Sequence, residues 1–481
     1  MKAYRILLFL LFIILLLGLL CVFFPKDGIP FGERRLFFPT LEEMFYKEKR
    51  LTAREKLEAL EAGFRMQFVM DSTAHAEQMA YNDSLLFYTN FFKNHPARFH
   101  LPNNDVSFFD SLFYSLDNCI TNNEIIHILH YGDSQIEADR ITDFIRQKMQ
   151  EKFGGNGPGL IPVIQPIPSA SVGQMESGNM ERFTIAGNFL NEAGHSRYGI
   201  LGQTVAIYGT GIISVATRNT KSTFENVKTF SKIRVFVSHN SQNFSASLIT
   251  GNNSPITRTL SDESSKITAL KWEFQNPIRK FSLNFSGDAE VSAIVLDGNA
   301  GVAVDNIPLR GSSGTFFTSI DVNTFLPVLK ELNVRLIIMQ FGGNRMPSIK
   351  SEKALNEYTK SIARQINYLQ DIYPAAKILF IGTSDMSTME GGRLQTYPFL
   401  KEAIQGIKKT ALENGAAFWD LFEVMGGENS MIDWVKNKPA WASPDYIHFT
   451  KSGADKVAGM FYESLMNYYN YVQFTDNYKQ K

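Results

Sequence analysis

Three side chains of this sequence belong to the types that build an activated nucleophile: Ser134, Asp445 and His448. Ser134 lies in the segment GDSQ, and Asp445 and His448 lie three residues apart in the segment DYIHF. A serine hydroxyl becomes a nucleophile when a neighbouring base removes its proton, and a neutral imidazole can do so near neutral pH if a carboxylate fixes its tautomer. Together these residues predict acyl transfer through serine. Taken singly, they also fit a helix N-cap and a surface histidine.

Two glycine-containing segments could supply hydrogen-bond donors to the same reaction. Asn344 lies in the segment MQFGGNRMPS, and Gly311 and Gly314 lie in the segment LRGSSG. Glycine lets the backbone approach a ligand closely, and an Asn amide or a backbone N–H can donate to an oxygen that gains negative charge. Each segment by itself also fits a plain turn after a strand.

Apolar runs that alternate with amphipathic segments must position these residues. Strands alternating with helices favour a parallel sheet covered on both faces. Groups at the carboxyl ends of parallel strands face the ligand crevice, and Ser134 and Asn344 both follow such a run. The strand-like runs are 125–131, 335–341 and 377–382, and the helical patterns are 137–149, 355–370 and 452–466.

The middle of the chain has a different character. From about 175 to about 295, short alternating runs rich in β-branched and aromatic residues are separated by Gly, Asn and Ser. This pattern predicts a β-sandwich inserted into the α/β domain. Trp272 and Phe274 could stack on sugar rings there, although aromatic residues in strands more often belong to the core.

The four polar segments, in this chain order, resemble the SGNH hydrolase superfamily, also called GDSL esterases. GDSQ stands where the family has GDSL, LRGSSG supplies the second block, GGNR the third and DYIH the last. Arg345 departs from the family, which commonly has Asp at that position. The resemblance covers about 120–170 and about 296–470, and it implies a flavodoxin-like three-layer α/β/α sandwich with a parallel sheet.

The same resemblance implies a role for each site residue. Ser134 would be the nucleophile, His448 the base and Asp445 the group that orients the base. Neither a cofactor nor a metal is expected. The expected oxyanion donors are the Ser134 N–H, the Asn344 side chain and the Gly311 N–H, with Gly314 as the alternative glycine.

The N-terminal segment and the charge balance bear on location and partners. Residues 6–24 contain no charged side chain, and this run is long enough for a transmembrane helix. The rest of the chain would then lie on the periplasmic or extracellular side of a bacterial inner membrane. The 48 basic and 48 acidic side chains cancel, so nucleic acid is not an expected partner. The expected divisions are a transmembrane anchor (1–25), a helical juxtamembrane region (26–115), a first part of the hydrolase domain (116–174), the β-sandwich (175–295) and a second part of the hydrolase domain (296–481).

An anchor, an external catalytic domain and an inserted sandwich together resemble membrane-anchored peptidoglycan or polysaccharide O-acetylesterases. An acetylated envelope glycan is therefore the expected substrate, with release of acetate from an acyl-serine. Two alternatives stay open: O-acetyl transfer onto an envelope polysaccharide, with a membrane acyltransferase as partner, and a non-catalytic glycan-binding scaffold.

Other polar residues near Ser134 have simpler interpretations. We expect His127 and His130, on the apolar strand before Ser134, to be satisfied core or edge histidines and not metal ligands. Glu137 and Asp139 are close neighbours on one expected helix, so solvated charges are a better interpretation than a glycosidase pair.

Overall fold

A computed structural model of the chain describes residues 3–24, 29–31, 34–36, 52–62, 74–187 and 190–479. The strands are β1 (Ile29–Phe31), β2 (Arg34–Leu36), β3 (Phe99–His100), β4 (Ile125–Gly132), β5 (Gly159–Ile161), β6 (Val172–Thr184), β7 (Gln203–Thr217), β8 (Phe230–Ser238), β9 (Phe244–Ile249), β10 (Ile256–Leu260), β11 (Thr268–Ile278), β12 (Lys280–Ser286), β13 (Ala289–Asp297), β14 (Gly301–Pro308), β15 (Val334–Gln340), β16 (Lys377–Ile381), β17 (Ser387–Glu390), β18 (Arg393–Thr396) and β19 (Ala417–Trp419). The α-helices are α1 (Ala3–Phe23), α2 (Ala53–Ala62), α3 (Ala74–Asn94), α4 (Asp110–Asn118), α5 (Thr142–Phe153), α6 (Val322–Glu331), α7 (Glu352–Ile372), α8 (Leu400–Glu413), α9 (Leu421–Met425), α10 (Ser430–Lys436) and α11 (Lys451–Lys479).

A six-stranded sheet with the order β14-β4-β15-β16-β19-β3 forms the α/β part of the molecule. Its first five strands are parallel, and β3 pairs antiparallel with β19. Counted along the chain, the parallel strands follow the order 2-1-3-4-5, which is the flavodoxin-like order. The order reverses between β4 and β15, and open α/β sheets bind ligands at the carboxyl ends of the strands at this point.

Alternate residues of the parallel strands fill two separate cores. Ile128 and Ile338 face one core, which also contains residues of α4, α5 and α11. Leu129 and Ile337 face the other, which contains residues of α6, α7 and α8. Strands buried on both faces read as continuous apolar runs, and this confirms the predicted parallel sheet between two layers of helices.

A nine-stranded antiparallel sheet lies between β4 and β14 in the sequence. Its path runs β10-β9-β12-β7-β13-β8-β11, with β5 paired to β13 and β6 paired to β7. Its strands enclose a third core of aliphatic and aromatic residues. Because one continuous ladder joins all nine strands, the separation into two sheets that a β-sandwich requires is not confirmed. The first of these strands begins at Gly159, before the expected boundary at 175.

The N-terminal part of the chain is only partly described. Several side chains of α1 lie outside the described residues, as do residues 37–51 and 63–73, which belong to the region 26–115 expected to be helical. Among the described residues, no helix is both long enough and apolar enough to cross a membrane. The transmembrane anchor predicted for residues 1–25 is therefore not supported by the structure.

Candidate active site

A line of hydrogen bonds joins the three residues selected from the sequence. Ser134 Oγ lies 2.7 Å from His448 Nε2, and His448 Nδ1 lies 2.7 Å from Asp445 Oδ2. Ser134 follows the carboxyl end of β4, whereas Asp445 and His448 lie in the loop before α11. The fold brings together residues 314 positions apart, in a geometry that lets an imidazole take a serine proton.

Asp445 holds both the ring and the backbone of His448. Its Oδ1 accepts from the N–H groups of Ile447 and His448, each at 3.0 Å. Partial burial by itself raises the pKa of Asp445, but the hydrogen bonds from His448 and Ile447 outweigh burial and lower the pKa below its usual value. An ionised carboxylate at Nδ1 requires the proton there, and it leaves Nε2 free to accept the proton of Ser134.

The Ser134 backbone lies in a tight turn and not at the start of a helix. Asp133 Oδ1 accepts from the Gln135 N–H at 3.0 Å, and α5 begins only at Thr142. The expected helix from residue 137 is wrong in its first turn because Ala138 and Asp139 have φ angles of 60° and 67°. This left-handed backbone interrupts a right-handed helix.

Ser134 opens onto a pocket of about 900 Å³, part of it open to solvent. Gly311 and Asn344 line this pocket together with Ser134 and His448. Gly314 is not among the lining residues, because its backbone packs against Phe341: a Cβ built at Gly314 would lie 2.6 Å from that ring. Of the two candidate glycines, Gly311 is the one that lines the same pocket as Ser134.

The Asn344 amide is held by two acceptors. Its Nδ2 donates to Asp133 Oδ2 at 2.9 Å and to the Ser312 carbonyl oxygen at 3.1 Å. An amide nitrogen carries two hydrogens, so donation to an oxyanion requires one of these bonds to be shared or exchanged. Burial raises the pKa of Asp133 to about 6, despite opposing contributions from Gln135, His448 and Asn344.

Gln135 and Gln340 line the pocket and were not selected from the sequence. Gln135 donates from Nε2 to the Ile447 carbonyl oxygen at 2.7 Å, which ties the Ser134 turn to the His448 loop. Gln340, the last residue of β15, faces His130 through its Oε1 at 2.9 Å. Gln135 Oε1 and Gln340 Nε2 are buried and have no hydrogen-bond partner among the described residues. Gln135 follows Ser134 in the segment GDSQ, and Gln340 lies just before the segment GGNR. This nearness to the two motifs was the only sequence signal for either residue.

The interpretation of Glu137 and Asp139 as solvated charges on a helix is wrong. Both side chains are buried. Asp139 accepts from the Arg146 guanidinium through both of its oxygens, at 2.7 and 3.0 Å, and also accepts from the Ser171 hydroxyl. These donors satisfy both oxygens of the buried carboxylate. Glu137 faces Arg310, with 3.5 Å between Oε2 and Nη1.

His127 and His130 are satisfied core histidines, as predicted. Burial by itself lowers the pKa of His127, but Asp305 and Asp297 outweigh burial and raise the pKa to about 9. The Asp305 contact measures 2.7 Å. His130 lacks such a carboxylate contact, and burial lowers its pKa to about 4. A cationic His127 therefore joins β4 to β13 and β14, while neutral His130 contacts Gln340.

Trp272 belongs to the core of the antiparallel sheet. Its side chain is buried, and its Nε1–H donates to the Ile256 carbonyl oxygen at 2.9 Å. Phe274 packs against the same core. The core interpretation of Trp272 is confirmed, so its ring is not an exposed platform for sugars.

One solved structure shares the greater part of this fold. A peptidoglycan O-acetylesterase superposes with a TM-score of 0.62 and 19% sequence identity, over 76% of this chain and 96% of that chain. In fold and in its sequence blocks, the chain resembles the SGNH hydrolases.

Two other solved structures match more weakly. A family two carbohydrate esterase from Cellvibrio japonicus has a TM-score of 0.23 and 12% identity, over 62% of this chain and 100% of that chain. A GDSL-like lipase from Parabacteroides merdae has a TM-score of 0.25 and 16% identity, over 34% of this chain and 74% of that chain. Scores this low add nothing to the argument. No family model and no curated protein matches the sequence.

Proposed function

We propose that the protein is a serine esterase that removes O-acetyl groups from an envelope glycan such as peptidoglycan. The observation that carries this proposal is the hydrogen-bonded line from Ser134 through His448 to Asp445 at the mouth of a pocket. The peptidoglycan O-acetylesterase that shares the fold supports the choice of substrate.

The proposed reaction starts with proton transfer from Ser134 Oγ to His448 Nε2. The oxygen attacks the ester carbonyl, and Asp445 stabilises the imidazolium that forms. The carbonyl oxygen becomes negatively charged and accepts hydrogen bonds from the N–H groups of Ser134 and Gly311 and from Asn344. Each such donor contributes roughly 3 kcal/mol to the barrier reduction. The imidazolium protonates the sugar oxygen that leaves, and water then releases acetate from the acyl-serine.

The proposed location is the periplasmic or extracellular side of a bacterial inner membrane. It rests on the sequence alone, since residues 6–24 contain no charged side chain. A location outside the cytoplasm would give the enzyme access to an envelope glycan.

Acetate release from acetylated peptidoglycan and from a small activated acetyl ester tests the function. Ser134→Ala should lower kcat at least about 10⁴-fold on both substrates. Ser313→Ala is the matched control, because it removes a serine hydroxyl from another Gly-x-Ser segment. Among the described residues, the Ser313 Oγ hydrogen-bonds to Thr315 Oγ1 alone, at 3.2 Å. Equal loss in both variants, or no loss in Ser134→Ala, would reject Ser134 as the nucleophile.

Two other results would favour the alternatives. If acetyl-Ser134 accumulates and acetate appears on an added glycan instead of in solution, the protein is an O-acetyltransferase, and a membrane acyltransferase becomes a natural partner. If the protein binds the glycan without either reaction, it is a scaffold.

A further inference from the structure

A second cavity lies beside the Ser134 pocket, between the antiparallel sheet and the α/β part. The space between its walls measures about 850 Å³, which includes open solvent. Leu160, Ile167 and Leu201 contribute apolar walls. Arg310 lines both this cavity and the Ser134 pocket, so the two spaces adjoin at that residue.

The charges around this cavity do not balance. Three guanidinium groups and two carboxylates line it. Arg146 pairs with Asp139, and Arg310 faces Glu137. Arg182 is the remaining cation, and within the described part of the chain no carboxylate lies in ion-pair distance of it. The cavity therefore carries one positive charge in excess.

Arg182 is held in place but keeps donors free. Its Nε donates to Gln203 Oε1 at 2.5 Å, and its two terminal nitrogens make no hydrogen bond to the described residues. Partial burial lowers the pKa of Arg182. A fixed guanidinium with two parallel free N–H groups matches the two oxygens of a carboxylate.

Glu137 supplies a second polar contact in the same cavity. It is 7% exposed, and its Oε1 is buried without a hydrogen-bond partner among the described residues. A buried carboxylate oxygen without a donor is costly, and a sugar hydroxyl or amide N–H would satisfy it. Glu137 follows Ser134 by three residues, so a ligand at Glu137 lies close to the proposed nucleophile.

We propose that this cavity binds a carboxylate-bearing sugar unit next to the acetylated unit, with Arg182 pairing the carboxylate and Glu137 accepting from a hydroxyl or amide. The proposal deepens the proposed function, on which it rests. A uronic acid carries the required carboxylate, and so does the lactyl ether of a muramic acid that bears no peptide. Arg182 would then be a specificity-determining residue that never contacts the reacting ester.

Binding to the full-length Ser134→Ala protein tests the cavity independently of catalysis. The probes are a galacturonic acid trisaccharide and an N-acetylmuramic acid disaccharide, each compared by calorimetry with its methylamide, in which the carboxylate is neutral. At least one acid should bind about tenfold more tightly than its amide, as expected for a charged hydrogen-bonded pair. The acid that shows the preference identifies the source of the carboxylate.

Adding Arg182→Gln should abolish the preference, because Gln retains a polar side chain without the charge. Arg182→Lys should retain part of it. Arg258→Gln is the matched control: it removes a guanidinium from the same sheet, where Arg258 is exposed and donates to the Lys271 carbonyl oxygen. This control should keep the full preference.

Three results would overturn the proposal: equal binding of acid and amide, a preference that survives Arg182→Gln, and absence of binding by both acids. Turnover of the small acetyl ester separates this failure from failure of the proposed function. With Ser134 intact, Arg182→Gln should hydrolyse that ester at the native rate, which also shows that the variant folds. Loss of ester hydrolysis in the native protein would reject the function and leave the binding result to stand alone.

Discussion

Asp445→Asn exchanges one carboxylate oxygen for an NH₂ group and leaves the shape of the side chain unchanged. The remaining oxygen should stay where it accepts from the N–H groups of Ile447 and His448. The NH₂ group then faces Nδ1 of His448, which must become an acceptor. The ring proton moves to Nε2, and the atom that faces Ser134 can no longer act as a base.

Coulomb's law gives the size of the accompanying electrostatic loss. His448 Nδ1 and Asp445 Oδ2 are 2.7 Å apart, and two unit charges centred about 4 Å apart attract by about 1 kcal/mol in water and about 4 kcal/mol near a protein surface. The Asp445 side chain is 47% exposed, so water screens part of the attraction. The fall in kcat should lie between about fivefold and about 10³-fold, with about 10²-fold as the central value. For comparison, replacing a fully buried triad Asp by Asn lowers kcat by about 10⁴-fold.

The assay is kcat on the small acetyl ester, with thermal unfolding to show that the variant is folded. Asp455→Asn is the matched control, because Asp455 pairs with Lys451 at 2.7 Å near the start of α11 and does not face the imidazole. The control should retain native kcat. If Asp445→Asn stays within about twofold of native kcat, the assignment of Asp445 as the orienting acid is refuted.

Three further predictions concern the surroundings of the site. Asn344→Ala should lower kcat by about 10²- to 10³-fold with little change in KM, measured on the same ester, because it removes a proposed oxyanion donor; an unchanged kcat would exclude that role. Burial raises the pKa of Asp385 from 3.8 to about 6. Protonated Asp385 therefore stabilises the folded state fully at a pH below 3.8, the pKa of the unfolded chain, and this stabilisation is lost as the pH rises through about 6. Urea unfolding should therefore show the stability of the native protein relative to Asp385→Asn falling by roughly 2 kcal/mol between about pH 4 and about pH 7, and a constant difference would contradict the raised pKa. His127→Gln should lower the free energy of unfolding by about 3 to 5 kcal/mol, because it leaves buried Asp305 without its cation; a loss under about 1 kcal/mol in urea unfolding would contradict this account.

The parallel sheet could be predicted from the sequence because its strands are buried on both faces. Such strands appear as uninterrupted apolar runs, and the polar motifs follow directly at their carboxyl ends. The side chains of Ser134 and Asn344 therefore lie at a shared sheet edge, and the loop before α11 brings His448 to Ser134. Their catalytic roles stay predictions.

The surroundings of Ser134 were less predictable because the partners are distant in sequence. Asp139 is buried because Arg146 and Ser171 satisfy its oxygens. The sequence around Asp139 does not indicate that Ser171 is a partner. The positive φ of Ala138 also has no signal in its residue type. In the antiparallel sheet, the alternation of apolar and polar residues predicts strands but not which strands pair. The sequence therefore could not distinguish one continuous sheet from a two-sheet sandwich.

The distance along the chain between Ser134 and His448 has a consequence for folding. Their contact closes a loop of 314 residues, and the chain entropy lost on closing a loop of that length is about 5 kcal/mol. One hydrogen bond contributes about 1 kcal/mol, so this contact cannot hold the ends together by itself. Contacts elsewhere in the fold must therefore hold His448 in its position. A partly folded chain thus contains all three residues without the hydrogen bonds that join them, and those bonds form only in the native state.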